Sequence, residues 1–288
     1  MTNPPTEYKA LSASTKMVDF DMPEFIAYKH SANSGDAIYS LAGIRAHSLR
    51  SGVPANYYQR LGVRTKYFQG APHPLGDRMM TPKMWNMLRP LIQHQKYINR
   101  ADIFLGQPFH FDLDMIRRLR IGLPAHNIAK WYQFVYPQLW VDLSEPWLEI
   151  PPGIESVAKD NIIINITHRY RNEWISYQFL QHTYKQYNIF FVGSEEEYLD
   201  FKTSQVGRCT HLQPDNFLSL ANAISQCKLF LGNQSMCFAL AEALKAPRAV
   251  ELFEPAPNVD PCGPTGWMYY TQISLEYYVQ LALDDKKS

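Results

Sequence analysis

The sequence predicts an α/β protein with two doubly wound domains, the first over residues 1–148 and the second over residues 149–288. Three observations lead to this prediction. In both halves, short apolar runs typical of buried parallel strands alternate with segments of helical apolar spacing. Small polar residues follow several of the predicted strands. Proline-containing linker segments at Ser144-Glu-Pro-Trp147 and Pro151-Pro-Gly153 separate the predicted strands and helices of the first half from those of the second.

The N-terminal half opens with a loosely attached lead over residues 1–20 and a predicted strand at Phe25–Tyr28. A polar turn over Lys29–Asp36 follows this strand, and apolar residues at helical spacing predict a helix over residues 37–49. The later predicted elements of this half are a strand at 63–68, a helix at 81–94 that kinks or ends early at Pro90, a strand at 101–105 and a short helix at 112–119.

The C-terminal half begins with a buried strand at 161–166, a polar loop at 167–172 and a helix near Trp174. A second strand at 188–193 precedes Ser194, a good N-cap that predicts a helix to about Thr203. The remaining predicted elements are a short strand at 211–213, a helix capped by Asp215, a strand–turn–helix–strand unit over 229–253 and a final helix at 273–283.

The unit over residues 229–253 organises this half. Leu229–Leu231 is an apolar run, Gly232-Asn-Gln-Ser235 is turn chemistry, and Met236–Leu244 is an alanine-rich helix that can pack closely on a sheet. Free N–H groups and the macrodipole at this helix start are suited to a diphosphate. The pattern fits equally an ordinary crossover whose turn binds nothing.

Composition limits the functional classes. Apolar residues make up 46% and charged residues 19% of the 288, which is typical of a globular chain. The net charge of +1 gives no global electrostatic case for nucleic acid. The four cysteines form no C-x-x-C pair, the histidines lack metal-ligand spacing, and no apolar run has membrane-spanning length. We therefore expect a cytoplasmic protein with reduced thiols, no metal and no transmembrane segment.

Three segments resemble motifs of the ADP-heptose:lipopolysaccharide heptosyltransferases. They are the small-residue loop and Gly-Asp of residues 31–41, the Gly-x-x-Glu-Glu-like turn of residues 192–196, and the Gly-Asn-x-Ser element with its Ala-Leu-x-x-Pro continuation over residues 232–255. They occur in the family's order and spacing across most of residues 24–256. The resemblance implies a GT-B fold, in which two Rossmann-like doubly wound domains face each other across a cleft.

The resemblance also implies a function. The family transfers a sugar from a nucleotide diphosphate sugar to an acceptor hydroxyl with inversion, and needs neither metal nor cofactor. Its general base corresponds to Asp36 here. The expected donor-binding residues are Thr167, His168, Arg169, Arg171, Gly193, Ser194, Glu195, Glu196, Asn233, Gln234, Ser235 and Met236, and the expected acceptor-binding residues are Lys29, His30 and Asn33.

Some of these residues also have an ordinary structural interpretation. Asp36 is also a plausible acidic residue at a helix start, and Glu195 or Glu196 can simply complement a helix dipole. The sequence does not distinguish Arg169 from Arg171 as the cation for a leaving diphosphate. The basic cluster Arg117, Arg118 and Arg120 is interpreted as a solvated helix face.

The chain departs from the family pattern at four positions. Gln234 stands where the family has Asp, Ala239 where His is usual, and Met236 and Glu254 where it has Gly. The donor sugar is therefore left open, and the acceptor is a saccharide or another hydroxyl compound. Two further classes remain as alternatives: a transferase that glycosylates hydroxymethylated bases of DNA, which is less favoured, and a non-catalytic nucleotide-sugar-binding protein.

Overall fold

A computed structural model describes residues 23–66, 76–119 and 126–284, which form two separate parallel sheets. The first sheet contains β1 (Ile26–His30), β2 (Ala55–Gln59), β5 (Ile98–Ile103) and β6 (Phe111–Asp112), in the order β5-β2-β1-β6 with every pair parallel. A small antiparallel pair, β3 (Val63–Arg64) and β4 (Arg78–Met79), stands apart from it.

The helices of this half are α1 (Ser34–Ser51), α2 (Pro82–His94), α3 (Met115–Arg118) and α4 (Ile128–Val135), followed by a 3₁₀ turn at Pro137–Leu139. Gly52, in the left-handed region with φ of 70°, ends α1 and donates to the carbonyl of Ser48. Thr81 caps α2, which continues through Pro90 to His94.

The second sheet contains β7 (Ile162–Asn165), β8 (Ile189–Phe191), β9 (Thr210–His211), β10 (Leu229–Gly232), β11 (Arg248–Glu251) and β12 (Gly266–Tyr269). Its order is β12-β11-β10-β7-β8-β9, again with every pair parallel. This is the strand order of a complete Rossmann sheet. Its helices are α5 (Phe179–Thr183), α6 (Glu195–Ser204), α7 (Phe217–Gln226), α8 (Met236–Leu244) and α9 (Gln272–Leu283).

One apolar core connects the two sheets. It runs from the first sheet through α1 and α8, which pack side by side, to one face of the second sheet. Trp147 is fully buried between these helices, with its Nε1 donating to Ile38 O at 2.9 Å and its main-chain N donating to Ala243 O at 3.0 Å. A second core fills the opposite face of the second sheet under α6 and α9.

Several predicted elements agree with the structure. The unit around α8 is reproduced closely, from the strand at Leu229 through the Ser235 N-cap to the end of the helix at Leu244. Ser194 caps α6 through a capping box with Glu197. All four cysteines are unpaired.

Other predicted elements are wrong. The strand that follows α1 in the first sheet is Ala55–Gln59, which was not predicted, and of the predicted strand at 63–68 only Val63–Arg64 forms one among the described residues; residues 67 and 68 lie outside them. Lys29 and His30 belong to β1 rather than to a turn. Helix α5 begins at Phe179 and not near Trp174, and Asn216 caps α7 in place of Asp215 because its side chain accepts from Leu218 N and Ser219 N. The predicted lead at residues 1–20 also lies outside the described residues.

Candidate functional site

Each sheet has one place where its strand order reverses. In the first sheet this lies between β1 and β6, and in the second between β7 and β10. The segments that leave adjacent strands at such a point part to opposite faces, which opens a crevice at the carboxyl ends of the strands. Asp36 follows β1 and Asn233 follows β10, so both fall at a reversal point.

Asp36 is the third residue of α1, and its carboxylate is paired with Arg117, the third residue of α3. Arg117 Nη2 donates to Asp36 Oδ2, and Tyr132 Oη donates to the main-chain oxygen of Asp36 at 3.0 Å. Burial opposes the charge on Arg117, but Asp36, Tyr132 and Asp114 outweigh burial and raise its pKa. The side chains of Asp36 and Arg117 are 21% and 31% exposed, so solvent reaches the pair.

The expected acceptor-binding residues lie close to Asp36 but are engaged within the protein. Lys29 is buried and pairs with Asp112 at 2.8 Å and Asp114 at 3.0 Å. His30 is fully buried, and burial lowers its pKa to about 4, so it is neutral at physiological pH. Asn33 precedes α1 and accepts from Met80 N at 3.1 Å. These contacts support the loop, and acceptor binding by these residues stays a prediction.

At the second reversal point, Asn233 holds the loop that follows β7. Its Nδ2 donates to Thr167 O at 2.9 Å and to Arg169 O at 2.7 Å, and its Oδ1 accepts from Thr167 N at 3.0 Å. Asn233 is fully buried and its amide is used on both sides, so it holds this loop in place, and donor binding by Asn233 stays a prediction.

The other residues of this turn differ in whether their polar groups are already hydrogen-bonded within the protein. Gln234 is buried and directs its Nε2 to Ala256 O at 2.6 Å and Asn258 Oδ1 at 3.0 Å. Ser235 Oγ accepts from Phe238 N at 3.1 Å and so satisfies one N–H group of the first turn. The N–H groups of Met236 and Cys237, also in the first turn of α8, have no acceptor within the helix.

The loop after β7 brings two arginines and a histidine to this edge of the sheet. Arg169 stacks over the Tyr170 ring at 5.3 Å, and His168 and Arg171 lie 3.4 and 3.6 Å from Asp200 of α6. The Nε atoms of both arginines are buried without a hydrogen-bond partner among the described residues. An open cavity of about 350 Å³ adjoins the loop; its lining includes His168, Arg171 and Asp200.

Glu251, at the end of β11, fixes the far end of this loop. The Asn172 N–H donates to Glu251 Oε1, Asn172 Nδ2 donates to Leu252 O at 2.8 Å, and Tyr177 Oη donates to Glu251 Oε2 at 3.0 Å. Tyr177 in turn shares a 2.6 Å hydrogen bond with the hydroxyl of Tyr269. Burial raises the pKa of Glu251 to about 7, against the opposing effect of its two hydrogen bonds.

The turn before α6 uses most of its polar groups internally. Ser194 and Glu197 form the capping box, and Glu195 Oε2 lies 3.1 Å from Nδ1 of His211, whose other nitrogen lies 3.0 Å from Gly193 O. Glu196 is exposed. Glu195 is exposed as well, and donor binding by either acid stays a prediction.

The two reversal points meet. A Cβ added to Gly35 would lie 3.6 Å from Met236 Cα, so the start of α1 touches the start of α8. Asp36, the residue after Gly35, therefore lies at the same junction as the first turn of α8, where the N–H groups of Met236 and Cys237 have no acceptor within the helix. This juxtaposition joins the residues that sequence motifs alone had placed in separate halves of the chain.

Sequence reasoning missed two important residues. Arg117 was interpreted as part of a solvated face, yet it is the ion-pair partner of Asp36. Glu251 was interpreted only as a strand residue, although a carboxylate at the end of a buried strand is itself a signal of a positioning role. Arg118 does lie largely exposed, as predicted, and Arg120 is outside the described residues.

Within residues 23–66, 76–119 and 126–284, no group of three or more His, Cys, Asp or Glu side chains is placed to hold a metal ion. The described helices also include none that is both long enough and apolar enough to cross a membrane.

No protein-family model matches the sequence, and no curated protein matches it either. Solved structures do match. The glycosyl transferase family 9 structure from Veillonella parvula DSM 2008 is 11% identical with a TM-score of 0.57, covering 92% of this chain and 90% of that one. ADP-heptose lps heptosyltransferase II of E. coli is 14% identical with a TM-score of 0.57, covering 92% and 100%. E. coli heptosyltransferase WaaC with ADP-2-deoxy-2-fluoro heptose is 10% identical with a TM-score of 0.53, covering 89% and 99%. The chain thus has the GT-B fold, and in that fold it resembles the heptosyltransferases, as its motifs predicted.

Proposed function

We propose that this protein is a glycosyltransferase that moves a sugar from a nucleotide diphosphate sugar to an acceptor hydroxyl. The observation that carries the proposal is the contact between the two helix starts, in which Gly35, the residue before Asp36, lies against Met236 at the start of α8. A transferase needs these two elements together, because the proton acceptor must lie next to the bound leaving group. The GT-B fold supports the same function.

The donor diphosphate binds at the start of α8. Its N-terminal N–H groups, including those of Met236 and Cys237, and the positive end of the helix dipole favour an anion there. The loop held by Asn233 supplies charge through Arg169 and Arg171, whose Nε donors have no partner among the described residues. Arginine pairs with phosphate through two parallel hydrogen bonds, so these side chains suit a diphosphate.

Asp36 acts as the general base. The acceptor oxygen forms a bond to the anomeric carbon of the donor sugar while the bond from that carbon to the diphosphate oxygen breaks. The hydroxyl proton passes to the Asp36 carboxylate, and the nucleoside diphosphate leaves with the electron pair of the broken bond. Attack from the side opposite the leaving group inverts the anomeric centre. The cationic loop and the α8 N–H groups neutralise the leaving diphosphate without a metal.

The first test measures donor binding. A panel of nucleoside diphosphates is screened by thermal shift, and we expect one base to raise the melting temperature most, because a ligand that binds only the folded state stabilises it. Arg169→Gln and Arg171→Gln should reduce that shift. A panel without any stabilising nucleotide would contradict the proposed donor class.

The second test addresses the base. Asp36→Asn keeps the shape of the side chain but cannot accept the proton, so transfer should fall by about 10²–10⁴-fold with little change in donor affinity. The matched control is Asp77→Asn, because Asp77 is a largely exposed acid paired with Arg64. Addition of a chelator should leave the rate unchanged. Near-normal turnover by Asp36→Asn would remove Asp36 from the mechanism, and a strict need for a divalent cation would contradict the metal-free step.

A further inference from the structure

The proposed base is not free in this structure. Arg117 Nη2 donates to Asp36 Oδ2, so the guanidinium occupies one of the two carboxylate oxygens. The pair lies at the reversal point of the first sheet, where α1 leaves β1 and α3 follows β6. A general base must lie within hydrogen-bond reach of the acceptor hydroxyl. With Arg117 in place, Oδ2 is engaged and only Oδ1 of the carboxylate remains for the acceptor hydroxyl.

A second hydrogen bond of Arg117 is weak. Its Nη1 donates to the thioether sulfur of Met79 at 3.1 Å, and a thioether is a poor acceptor for a charged donor. Its side chain is 31% exposed, so an incoming group can reach the guanidinium. A stronger acceptor would therefore compete well for this side chain.

The neighbouring cations Lys29 and Arg118 form ion pairs with carboxylates other than Asp36. Lys29 is held by Asp112 and Asp114, and Arg118 lies 3.2 Å from Asp112. Each of these pairs can persist while Asp36 works, because none of them involves the base. Among these three cations, Arg117 alone has the base as its ion-pair partner.

Opening the pair without a substitute would leave a half-buried guanidinium without its ion-pair partner, which is unfavourable. A phosphate or carboxylate that replaces Asp36 removes this cost, because it offers arginine the same two-pronged pairing. A neutral acceptor has no group that can make this exchange.

We propose that Arg117 exchanges Asp36 for an anionic group on the acceptor, so that acceptor binding itself releases the base. The proposal rests on the proposed function and adds two features to it. The acceptor carries a phosphate or carboxylate, and Asp36 stays paired with Arg117 until that group binds. Arg117 then contacts the acceptor, while its effect on proton transfer operates through Asp36.

The exchange is tested first without any turnover, by calorimetric titration with inorganic phosphate. If Asp36 competes with phosphate for Arg117, removing the charge of Asp36 must strengthen binding, since the closed pair lowers the apparent affinity. We expect Asp36→Asn to bind phosphate about tenfold more tightly than the wild type and Arg117→Met to bind it about tenfold more weakly. The double variant should bind phosphate as weakly as Arg117→Met does, because the gain in affinity from Asp36→Asn depends on the Arg117 guanidinium.

Two controls accompany this cycle. Arg118→Met removes an adjacent arginine that is paired with Asp112, and Asp77→Asn removes a distant acid; both should bind phosphate as the wild type does. If Asp36→Asn gains no affinity, the exchange is wrong. If the gain persists in the double variant, phosphate binds elsewhere, at the donor turn for instance, and the proposal is equally overturned.

The second arm compares glucose 6-phosphate with glucose as probe acceptors, by binding in the absence of donor and then by transfer. The wild type should bind the phosphorylated sugar about tenfold more tightly, and Arg117→Met should lose that preference without losing affinity for glucose. The proposal is overturned if the wild type binds the two sugars with equal affinity, or if it binds neither of them. Binding that behaves as expected while no donor supports transfer would instead refute the proposed function alone.

Discussion

Asn233 and Thr167 form a reciprocal amide pair across 66 residues of sequence. The side-chain Oδ1 of Asn233 accepts from Thr167 N at 3.0 Å, and its Nδ2 donates to Thr167 O at 2.9 Å. The side chain thus imitates a neighbouring strand at the point where β7 and β10 end. The side chain therefore fixes the loop that carries Arg169 and Arg171 relative to the turn before α8.

Replacement of Asn233 by Asp tests this relationship. The new carboxylate would place an oxygen against the carbonyls of Thr167 and Arg169, where the amide now donates. We expect a loss of about 2–3 kcal/mol in the free energy of unfolding, the cost of unpaired buried polar groups, and weaker nucleoside diphosphate binding. Urea denaturation and thermal shift measure the two effects. Asn86→Asp on the exposed face of α2 is the control, and an equal loss there would contradict the interpretation.

The buried ion pair between α8 and β11 gives a second prediction. Glu242 and Arg248 are both fully buried and joined at 2.5 Å, and Lys245 approaches the other Glu242 oxygen at 2.6 Å. Arg248→Met would leave Glu242 Oε1 with Lys245 and the Cys262 N–H but would take the partner of Oε2 away, and should cost about 3 kcal/mol, because a buried charge that loses its ion-pair partner is strongly unfavourable.

The Glu242→Leu/Arg248→Met double variant removes both charges together. Its loss should fall short of the sum of the two single losses by about 2 kcal/mol, which a double-mutant cycle in urea measures. Arg64→Met, at an exposed ion pair with Asp77, serves as the control and should change stability by less than about 0.5 kcal/mol. Additive losses in the double variant would show that the two side chains do not act as a pair.

The sequence predicted the second half of the fold better than the first because its signals there are local. In the unit around α8, the apolar run, the Ser235 cap and the alanine-rich helix all indicate the same structure. Strand β2 lacks this agreement. Its residues Asn56 and Gln59 are polar, yet both are buried because Asn99 Nδ2 donates to Asn56 and Gln59 Nε2 donates to Ala32 O. Partners so distant in sequence leave no periodic pattern.

The same distinction applies to the candidate site. Asp36 and the turn of residues 232–236 were predicted because each is a motif at a strand-to-helix connection. Arg117 lies 81 residues from Asp36, and only the placement of β6 beside β1 brings it there. The resemblance supplied the role of each motif, whereas the strand order of the sheets supplies their proximity.

The last prediction concerns Glu251 and pH. Burial raises its pKa from 4.5 to about 7 in the folded protein, so between these values the folded state holds a proton that the unfolded state has released. The contribution of Glu251 to the free energy of unfolding is therefore largest below pH 4.5, declines as the pH rises toward 7, and is lost above pH 7. The shift corresponds to about 3 kcal/mol. Tyr177 and Tyr269 can accommodate either form, because the hydroxyl hydrogen bond between them can reverse its direction.

Glu251→Gln removes the titration but keeps the shape and hydrogen-bonding capacity of the side chain. The amide oxygen can accept from Asn172 N while the amide N–H donates to Tyr177. We expect the stability of the variant relative to the wild type to increase by about 3 kcal/mol between pH 4.5 and pH 8, measured by urea denaturation at both values. The comparison between variants cancels the other titrating groups, such as Asp114, whose lowered pKa acts in the opposite direction. A difference between Gln and Glu that is the same at both pH values would mean that Glu251 is ionised throughout and that its two hydrogen bonds outweigh burial.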